Sequence, residues 1–475
     1  MSADGDDVPG FSRQATADAG DVLAAVRARA ARRAAQTAAS PAALREGTQG
    51  GAAAGREATG RGRAKPRAFD FSALPVMKEL QFTAAAGQVM GVDSPFFRVC
   101  EGRGAATARI EGADRINFSS YDYLGLNQTG AVLEAAKAAI DRYGVSCSGS
   151  RVVGGERPFH AALERALAAI YDAEDAVAMV SGHATNVTTI GSLMGKEDLV
   201  LCDELAHNSA LEGARLSGAT RRSFPHNDLD WVERLLETER SRFGRVLIVV
   251  EGLYSMDGDT PDLARLIDIK NAHDCWLMVD EAHALGVLGP TGRGLAEAQG
   301  VDPRSVEIWM GTLSKTLAST GGYIAGSSAL IQVLKARAPG FVFSVGLSAP
   351  LSAAALAALE VMAREPERVA RLRDNGLALR AALRARGLDT GLSEGHAVTP
   401  VVLGDSPTAA AVAHLALLKG LSAPPILHPA VPERRARLRF FVSSEHTAAH
   451  IERAADIVAE AVAEAPEITA RLGLS

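Results

Sequence analysis

From about Phe69 onward, short apolar runs alternate with longer amphipathic stretches, and this alternation restricts the fold more than any other feature of the sequence. Each run has three to five residues, which is too short for a typical helix and indicates a buried strand. The runs are AVAMV (176–180), LVLC (199–202), VLIVV (246–250), WLMV (276–279), IWM (308–310) and YIAG (323–326). The stretches between most of them, such as PFHAALERALAAIYDAE, repeat apolar residues at helical spacing. Apolar strands joined by helices predict an α/β fold with a mostly parallel sheet covered on both faces.

The rest of the chain differs from this alternating region. Residues 1–68 are rich in Ala, Arg and Gly, with eleven basic and seven acidic side chains and few large apolar ones. We therefore expect a disordered basic tail with one helix at about 21–37; a docking arm for a partner is the alternative. Beyond Pro350, helical stretches surround the strand-like VTPVVL and RLRFFVS, which predicts a smaller α+β domain. The predicted divisions are the tail at 1–68, an N-terminal arm and small segment at 69–130, a large domain at 131–345 and a C-terminal α+β domain at 346–475.

Composition excludes several classes of protein. The net charge of −6 gives no overall attraction to nucleic acid or anionic membranes. No apolar run approaches the roughly 18 residues that a membrane-spanning helix needs. The four cysteines are far apart and form no CxxC pair, which argues against a zinc site or a disulfide framework. These features predict a cytoplasmic α/β enzyme without a metal site.

Polar residues follow five of the predicted strands, at the points where the strands end. Ligands of open parallel sheets bind beyond the carboxyl ends of the strands, so these residues are expected to form one site. The segments are Ser181–His183, Asp203–His207, Glu251–Ser255, Asp280–His283 and Gly311–Thr316. GPTGRG (289–294) follows no clear strand, and GSLMGKED lacks the Ser or Thr that completes a phosphate-binding loop. The set instead favours an aldehyde cofactor held by a lysine through a Schiff base.

Six motifs resemble those of the α-oxoamine synthases, pyridoxal phosphate enzymes of the aspartate aminotransferase fold (fold type I), such as serine palmitoyltransferase and aminooxononanoate synthase. They are FSSYDYLGL, SGSRVVGGERPFHAALE, EGLYSMDGD, VDEAHALGVLG, GTLSKTLASTGG and ARLRFFVSSEHT. The match runs in order from about residue 116 to 462. The resemblance implies a large cofactor-binding domain and a C-acyltransferase in lipid or polyketide biosynthesis. Its reaction would condense serine, glycine or alanine with an acyl thioester, releasing CO2, free thiol and an α-amino ketone.

The resemblance also implies roles for the lysine and for three residues around it. Lys315 would form the Schiff base and later act as general base. Asp280 would pair with the protonated pyridine nitrogen, which is the partner that a buried carboxylate needs. His283 would contact the phenolic oxygen of the cofactor, and the small Ala282 would leave room for the ring.

Further residues match family positions that contact the cofactor ring or its phosphate. His207 would stack on the ring and orient the substrate carboxylate. Gly182 and His183 would open a helix whose free N–H groups bind the phosphate. The hydroxyls of Thr312 and Ser314 would complete that phosphate site.

Three other matches concern the ring and the substrate. Ser255 corresponds to a family serine near the ring. Arg439 would bind the substrate carboxylate, a task that suits a bidentate guanidinium. Tyr121 stands where several relatives have Asn, and its Tyr-x-Tyr pattern is closer to bacterial serine palmitoyltransferases. Tyr121 is therefore a candidate substrate-binding residue, with core packing as the alternative.

Two segments depart from the family pattern. In the family, a Gly-rich segment precedes a Ser-Arg pair. The corresponding residues of this chain are Ser146–Arg151, and this difference would alter the acyl entrance. In relatives, a Ser/Thr stretch contacts the cofactor phosphate bound by the partner subunit. The corresponding residues here are Phe343–Gly346, where only Ser344 supplies a hydroxyl. The resemblance implies a homodimer with its active site at the subunit interface.

Several alternatives stay open at the sequence level. The acyl donor is either acyl-CoA or an acyl carrier protein, and a specific synthesis of sphingoid bases is one form of the same reaction. An aminotransferase or retro-aldol lyase on this scaffold is a second candidate. A non-catalytic subunit is the third, although the presence of Lys315 and Asp280 argues against it.

Overall fold

The computed structural model of the protein describes residues 70–473, so the predicted basic tail at 1–68 lies outside the described residues. These residues belong to two compact units, one formed by 70–97 with 463–473 and the other by 98–462. The helices are α1 Pro75–Met90, α2 Gly130–Tyr143, α3 Pro158–Ile170, α4 Gly182–Leu193, α5 Asn208–Ser217, α6 Leu229–Glu239, α7 Leu263–Ala272, α8 Leu295–Gln299, α9 Ser328–Arg337, α10 Pro339–Val342, α11 Ala349–Arg364, α12 Glu367–Ala385, α13 Ser406–Leu418 and α14 Ala448–Thr469. The strands are β1 Cys100–Glu101, β2 Thr107–Ile110, β3 Ala113–Asn117, β4 Asp175–Met179, β5 Leu199–Asp203, β6 Thr220–Phe224, β7 Val246–Glu251, β8 Trp276–Asp280, β9 Ile308–Thr312, β10 Gly322–Gly326, β11 Val398–Gly404, β12 Leu421–Ser422, β13 Pro425–Ile426 and β14 Ala436–Phe441.

The larger unit is built on a seven-stranded sheet in the order β4-β10-β9-β8-β7-β5-β6. All six apolar runs singled out in the sequence are strands of this sheet. Only β10 runs antiparallel to its neighbours β4 and β9, and the other pairs are parallel. The prediction of a mostly parallel sheet is therefore confirmed. The sequence pattern missed β6, because Thr-Arg-Arg-Ser-Phe is largely polar and forms the edge of the sheet.

Two smaller sheets accompany the large one. The strand-like segments near the C-terminus form β11 and β14, which pair antiparallel and are extended by β13. The other small sheet has the order β1-β2-β3-β12, in which a segment from late in the chain pairs parallel with β3. The predicted smaller sheet domain is thus present, with β14 buried at all six of its residues.

Successive residues of each strand point to opposite faces of the large sheet, so these apolar strands carry apolar side chains on both faces. Helices cover the sheet and bury these side chains. On one face, strand residues such as Val200, Leu247 and Ile308 form a buried cluster with Ile190 of α4 and Leu334 of α9. Burial of such side chains contributes roughly 1.5–3 kcal/mol each, which makes this layer a main source of stability. None of the described helices is long and apolar enough to cross a membrane.

Candidate active site

The carboxyl ends of five strands lie along one edge of the large sheet. Strands β9, β8, β7 and β5 are mutually parallel, and β4 has the same direction because antiparallel β10 separates it from β9. The polar segments that follow these strands are the five predicted from the sequence. The structure therefore places the predicted chemistry at a single edge, as expected for ligand sites of parallel sheets.

Asp280, the last residue of β8, is the centre of a buried hydrogen-bond network. Its carboxylate accepts from Asn186 Nδ2 at 2.8 Å and from the backbone N–H of Ala282 at 3.0 Å. Asn186 Nδ2 also lies 2.9 Å from Ser209 Oγ, which in turn lies 2.7 Å from His207 Nδ1. These two donors fix the Asp280 carboxylate at the centre of the network.

Lys315 follows β9 and faces the same edge. Burial lowers the pKa of its amine, while the nearby carboxyl groups of Asp280 and Glu251 oppose that effect. Its Nζ lies 5.6 Å from the centroid of the Tyr121 ring. A lysine whose neutral form is stabilised by burial can act as a nucleophile or base near neutral pH.

Glu251 ends β7 and pairs in register with Asp280 on the adjacent strand. Burial and the negative charge of Asp280 raise the pKa of Glu251 to about 8. Its Oε2 accepts from the N–H of Ser255 at 2.9 Å, whereas Oε1 is buried without a hydrogen-bond partner. Two neighbouring buried carboxyl groups therefore differ in their hydrogen bonding, and the raised pKa of Glu251 favours its protonated form.

His283 is fully enclosed beside this carboxyl pair. Burial and the positive charges of Lys315 and Arg439 hold the pKa of its imidazole well below the ordinary value. Its Nδ1 lies 2.7 Å from the hydroxyl of Tyr123, whose own pKa is raised well above normal by burial. The phenol and the imidazole share this hydrogen bond, and the tautomer of His283 decides which of them donates.

Arg439 on β14 reaches the loop after β7. Its Nη1 donates to the backbone oxygen of Ser255 at 3.0 Å, and its guanidinium stacks 4.6 Å from the ring centroid of Phe441. The Nε of Arg439 is buried without a partner. Tyr121 packs on Phe441 with ring centroids 4.5 Å apart, and it also lies beside Lys315 and His283. Tyr121 thus lines the site between the lysine and the arginine.

The start of α4 forms a close junction with the β9–β10 turn. Ser181 caps the helix by accepting from the N–H of Ala184, so the first turn presents free N–H groups. A Cβ at Gly182 would lie 2.9 Å from Thr312 Oγ1, so only glycine fits without displacement. Ser314 accepts from the N–H of Gly321 at 3.3 Å in the same turn. A helix N-terminus flanked by hydroxyls is a natural site for a phosphate group.

These residues suit pyridoxal phosphate. Buried polar atoms normally have hydrogen-bond partners, yet Asn186 Oδ1, Glu251 Oε1 and Arg439 Nε lack them near Lys315. The anion-binding helix start, the Asp280 carboxylate and the buried lysine provide a contact for each charged part of that cofactor. Among the residues that the structure describes, no group of His, Cys, Asp and Glu could hold a metal ion.

The structure brings all the predicted site residues to this edge of the sheet. His183 is exposed, with its ring centroid 6.2 Å from that of His207. Sequence reasoning missed three residues that the geometry adds, namely Tyr123, Asn186 and Ser209, and it placed Glu251 in a strand-end segment without giving it a role. The adjacent Tyr-x-Tyr and His-Asn-Ser motifs were the available signals.

Comparisons with known proteins agree with this geometry. The family model described as aminotransferase class I and II matches residues 113–458. The 8-amino-7-oxononanoate synthase of Methylobacterium sp. is 40% identical over 385 residues, which cover 80% of this chain and 97% of that relative. The structure of Sphingomonas wittichii serine palmitoyltransferase has a TM-score of 0.79 at 29% identity and covers 84% of this chain and 99% of its own. A serine palmitoyltransferase variant from S. paucimobilis, described with bound pyridoxal phosphate and myriocin, has a TM-score of 0.78 at 28% identity and covers 83% and 100%.

Proposed function

Since the chain belongs to the class I and II aminotransferase family and, within it, to the α-oxoamine synthases, we propose a specific task for each side chain at the carboxyl edge of the sheet. The protein is a pyridoxal phosphate enzyme that condenses an amino acid with an acyl thioester and releases CO2 and the free thiol. The proposal rests mainly on one observation, the convergence of Lys315, Asp280, His207, His283 and Arg439 at a single buried edge.

The cofactor, when bound, supplies an aldehyde for covalent attachment of amines and a ring that withdraws electrons from the substrate Cα. Asp280, held in place by its Asn186 and Ala282 donors, would pair with the ring nitrogen. Gly182, His183, Thr312 and Ser314 bind the phosphate through backbone N–H groups and hydroxyls. His283 contacts the phenolic oxygen through Nε2 while Tyr123 occupies Nδ1.

Lys315 is the group that moves the proton at the substrate Cα. Its lowered pKa favours a neutral amine, which can accept the α-proton and later return it to the product. The Asp280 carboxylate lies close enough to oppose that shift, so it stabilises the ammonium form once the proton has been taken. A single residue can therefore serve as base and acid within one turnover.

Arg439 and His207 bind the substrate carboxylate in this proposal. The guanidinium is fixed on one side by the backbone oxygen of Ser255, and its unpartnered Nε remains available for a carboxylate oxygen. Tyr121 and Phe441 line the site beside Lys315. The proposed amino acid is serine, glycine or alanine, as the family resemblance implies.

The functional assembly is proposed to be a homodimer. The segment Phe343–Gly346 carries an 85% exposed phenylalanine. Ser150 and Val345 form an isolated bridge, which places this segment beside Val152 and Val153, both also exposed. An exposed apolar group of this kind is typical of a protein interface. A second copy of the chain would cover it and bring Ser344 to the phosphate site of its partner.

A substrate grid tests the proposed reaction. Glycine, alanine and serine are each combined with short and long acyl-CoA and acyl-carrier-protein thioesters, and thiol and CO2 are measured. We expect one amino acid and one donor class to release both products in equal amounts. Release of thiol from no pair, together with amino transfer to a keto acid or release of an aldehyde, would contradict the synthase assignment in favour of the aminotransferase or lyase.

The donor class and the location of the protein complete the proposal. A variant lacking residues 1–68 separates a docking arm from a plain tail, because only an arm would raise KM for carrier-bound substrate when it is removed. Unchanged kinetics with acyl-carrier substrates would leave that segment without a catalytic role.

Cys100 is exposed with a free thiol, which is consistent with the proposed cytoplasmic location.

Replacing the lysine tests the assignment of the base. Lys315→Ala should lower kcat by at least about 10³-fold, because it removes both covalent attachment and proton transfer. The absorbance band of the lysine-bound cofactor should also disappear. Lys335→Ala, which alters a surface lysine paired with Glu164, is the matched control and should keep the band. Survival of band and activity in the Lys315 variant would contradict the assignment.

A further inference from the structure

The hydrogen bonds between Asp280 and His207 have a definite direction. The backbone N–H of Ser209 points to His207 Nδ1 at 3.3 Å, and a backbone N–H can only donate. Nδ1 is therefore the unprotonated nitrogen, and the imidazole proton is on Nε2. The Ser209 hydroxyl, 2.7 Å from the same Nδ1, must then donate its proton to the ring as well.

The orientation of Asn186 follows from the same reasoning. Because Ser209 uses its proton on His207, its oxygen accepts from Asn186 Nδ2 at 2.9 Å. The same amide nitrogen donates to Asp280 at 2.8 Å. Turning the amide over would place its oxygen against a carboxylate and a hydroxyl already committed elsewhere. Both Asn186 and Ser209 are essentially fully buried, so water does not replace these bonds.

We propose that Asn186 and Ser209 are positioning residues that fix His207 as the Nε2–H tautomer and tie its ring orientation to the Asp280 side chain. His207 is also the N-cap residue of α5, so its backbone is fixed while its ring is held by the Ser209 side chain. The outward edge of the ring then presents a hydrogen-bond donor rather than an acceptor. The role of that donor toward a substrate carboxylate rests on the proposed function, but the tautomer itself does not.

The two hydrogen bonds of the Asn186 amide link the behaviour of Asp280 and His207. One amide group serves two acceptors, the carboxylate that faces the cofactor nitrogen and the hydroxyl that sets the histidine. Loss of either acceptor bond frees the amide to rotate, which weakens the other bond too. Asp280 and His207 are therefore expected to respond together to a change at Asn186, although no direct hydrogen bond joins them.

The tautomer is measured directly on the cofactor-free protein. Histidine is labelled with ¹⁵N, and the two ring nitrogens of His207 are identified by their loss in His207→Gln. We expect the pyridine-type shift at Nδ1 and the pyrrole-type shift at Nε2. The opposite assignment in the wild-type protein would overturn the proposal, whatever the outcome of the substrate grid.

Variants then test the two positioning residues. Ser209→Ala should move both ring shifts toward averaged values and lower kcat about tenfold with little change in KM for the thioester, the effect of one lost hydrogen bond. Asn186→Asp should do the same, because its carboxylate would draw the Ser209 proton away from His207. Ser209→Thr keeps the hydroxyl and should restore the wild-type shifts and most of kcat.

Controls separate positioning from a general loss of structure. Ser217→Ala lies on the same helix, where its hydroxyl donates to the oxygen of Ala214, and should change neither shifts nor kcat. Circular dichroism confirms that each variant is folded. If Ser209→Ala and Asn186→Asp are folded and keep wild-type ring shifts, the two residues do not set the tautomer and the proposal is wrong.

Discussion

At the scale of single residues, the site places two chemically similar carboxyl groups in different surroundings. Asp280 and Glu251 are neighbours on adjacent strands, yet only Asp280 receives a side-chain amide donor. Burial and the nearby Asp280 raise the pKa of Glu251 to about 8, and its single backbone N–H donor from Ser255 only partly opposes them. Such a divergence between paired carboxyl groups is typical of catalytic sites.

Glu251→Gln tests the protonated state of this carboxyl. The folded pKa of about 8 exceeds the ordinary value of 4.5, so the wild-type protein loses stability as the pH rises from about 4.5 to about 8. The neutral amide avoids that loss. We expect the urea midpoint of the variant, relative to wild type, to increase across this pH interval and to level off above it.

The matched control for that experiment is Glu134→Gln, an exposed glutamate paired with Lys137. Its urea midpoint should differ from wild type by a small amount that is constant with pH. A Glu251→Gln difference that is also constant from pH 5 to pH 9 would show that Glu251 is ionised in the folded protein.

At the scale of elements, one histidine joins three segments behind the site. His226, after β6, contacts Asp203 at the end of β5 through Nδ1 at 2.9 Å and Asp259 in the loop after β7 through Nε2 at 2.8 Å. Burial by itself lowers the pKa of His226, but the two carboxylates outweigh it and raise the pKa to about 10. This ion cluster fixes the loop that carries Ser255, the residue that holds Arg439.

His226→Gln should therefore reduce stability in a pH-dependent way. The raised pKa means that the contribution of His226 is complete below about pH 6.5 and is lost as the pH rises through about 10. At pH 6 we expect a loss of about 3 kcal/mol in unfolding free energy, because two buried carboxylates lose their cation. The loss should shrink by pH 10.5; a loss of equal size at both pH values would contradict the charged state.

The start of α4 gives a second prediction at this scale. Gly182→Ala introduces a Cβ 2.9 Å from Thr312 Oγ1, which must separate the helix start from the β9–β10 turn. We expect the affinity for pyridoxal phosphate to fall at least tenfold in an absorbance titration. Gly191→Ala in the same helix would meet only the flexible end of Leu216 at 3.4 Å and should bind the cofactor normally. Equal affinities would show that the helix start does not bind the phosphate.

At the scale of the whole molecule, the exposed apolar group around Phe343 predicts a homodimer. Phe343→Asp places a charge in the proposed interface and should give a monomer by light scattering at micromolar concentration. Activity should fall with it, because Ser344 is proposed to act on the phosphate site of the partner. The control Leu392→Asp alters an exposed leucine that is not part of this group, and this variant should stay dimeric. A monomeric wild-type protein with full activity would contradict this interface.

The sequence by itself predicted six of the seven strands of the large sheet and grouped the candidate catalytic residues at the strand ends. Apolar runs bounded by polar residues require burial, and the carboxyl ends of parallel strands share one edge, so Asp280, His283 and Lys315 could be placed together from the pattern alone. The polar edge strand β6 was missed because hydrogen bonding to a neighbour, rather than its own composition, makes it a strand.

Only the tertiary structure decided the hydrogen-bond partners of those groups, and with them their pKa values and tautomers. Asn186 and Asp280 are 94 positions apart, and the bond between them depends on the packing of α4 beside β8. The pairing of Glu251 with Asp280 likewise depends on strand order. Local periodicity carries no information about such long-range partners, whereas charge and tautomer are set by the nearest buried donors and acceptors. The residue types could therefore be predicted from the sequence, whereas their protonation depends on partners that only the fold brings together.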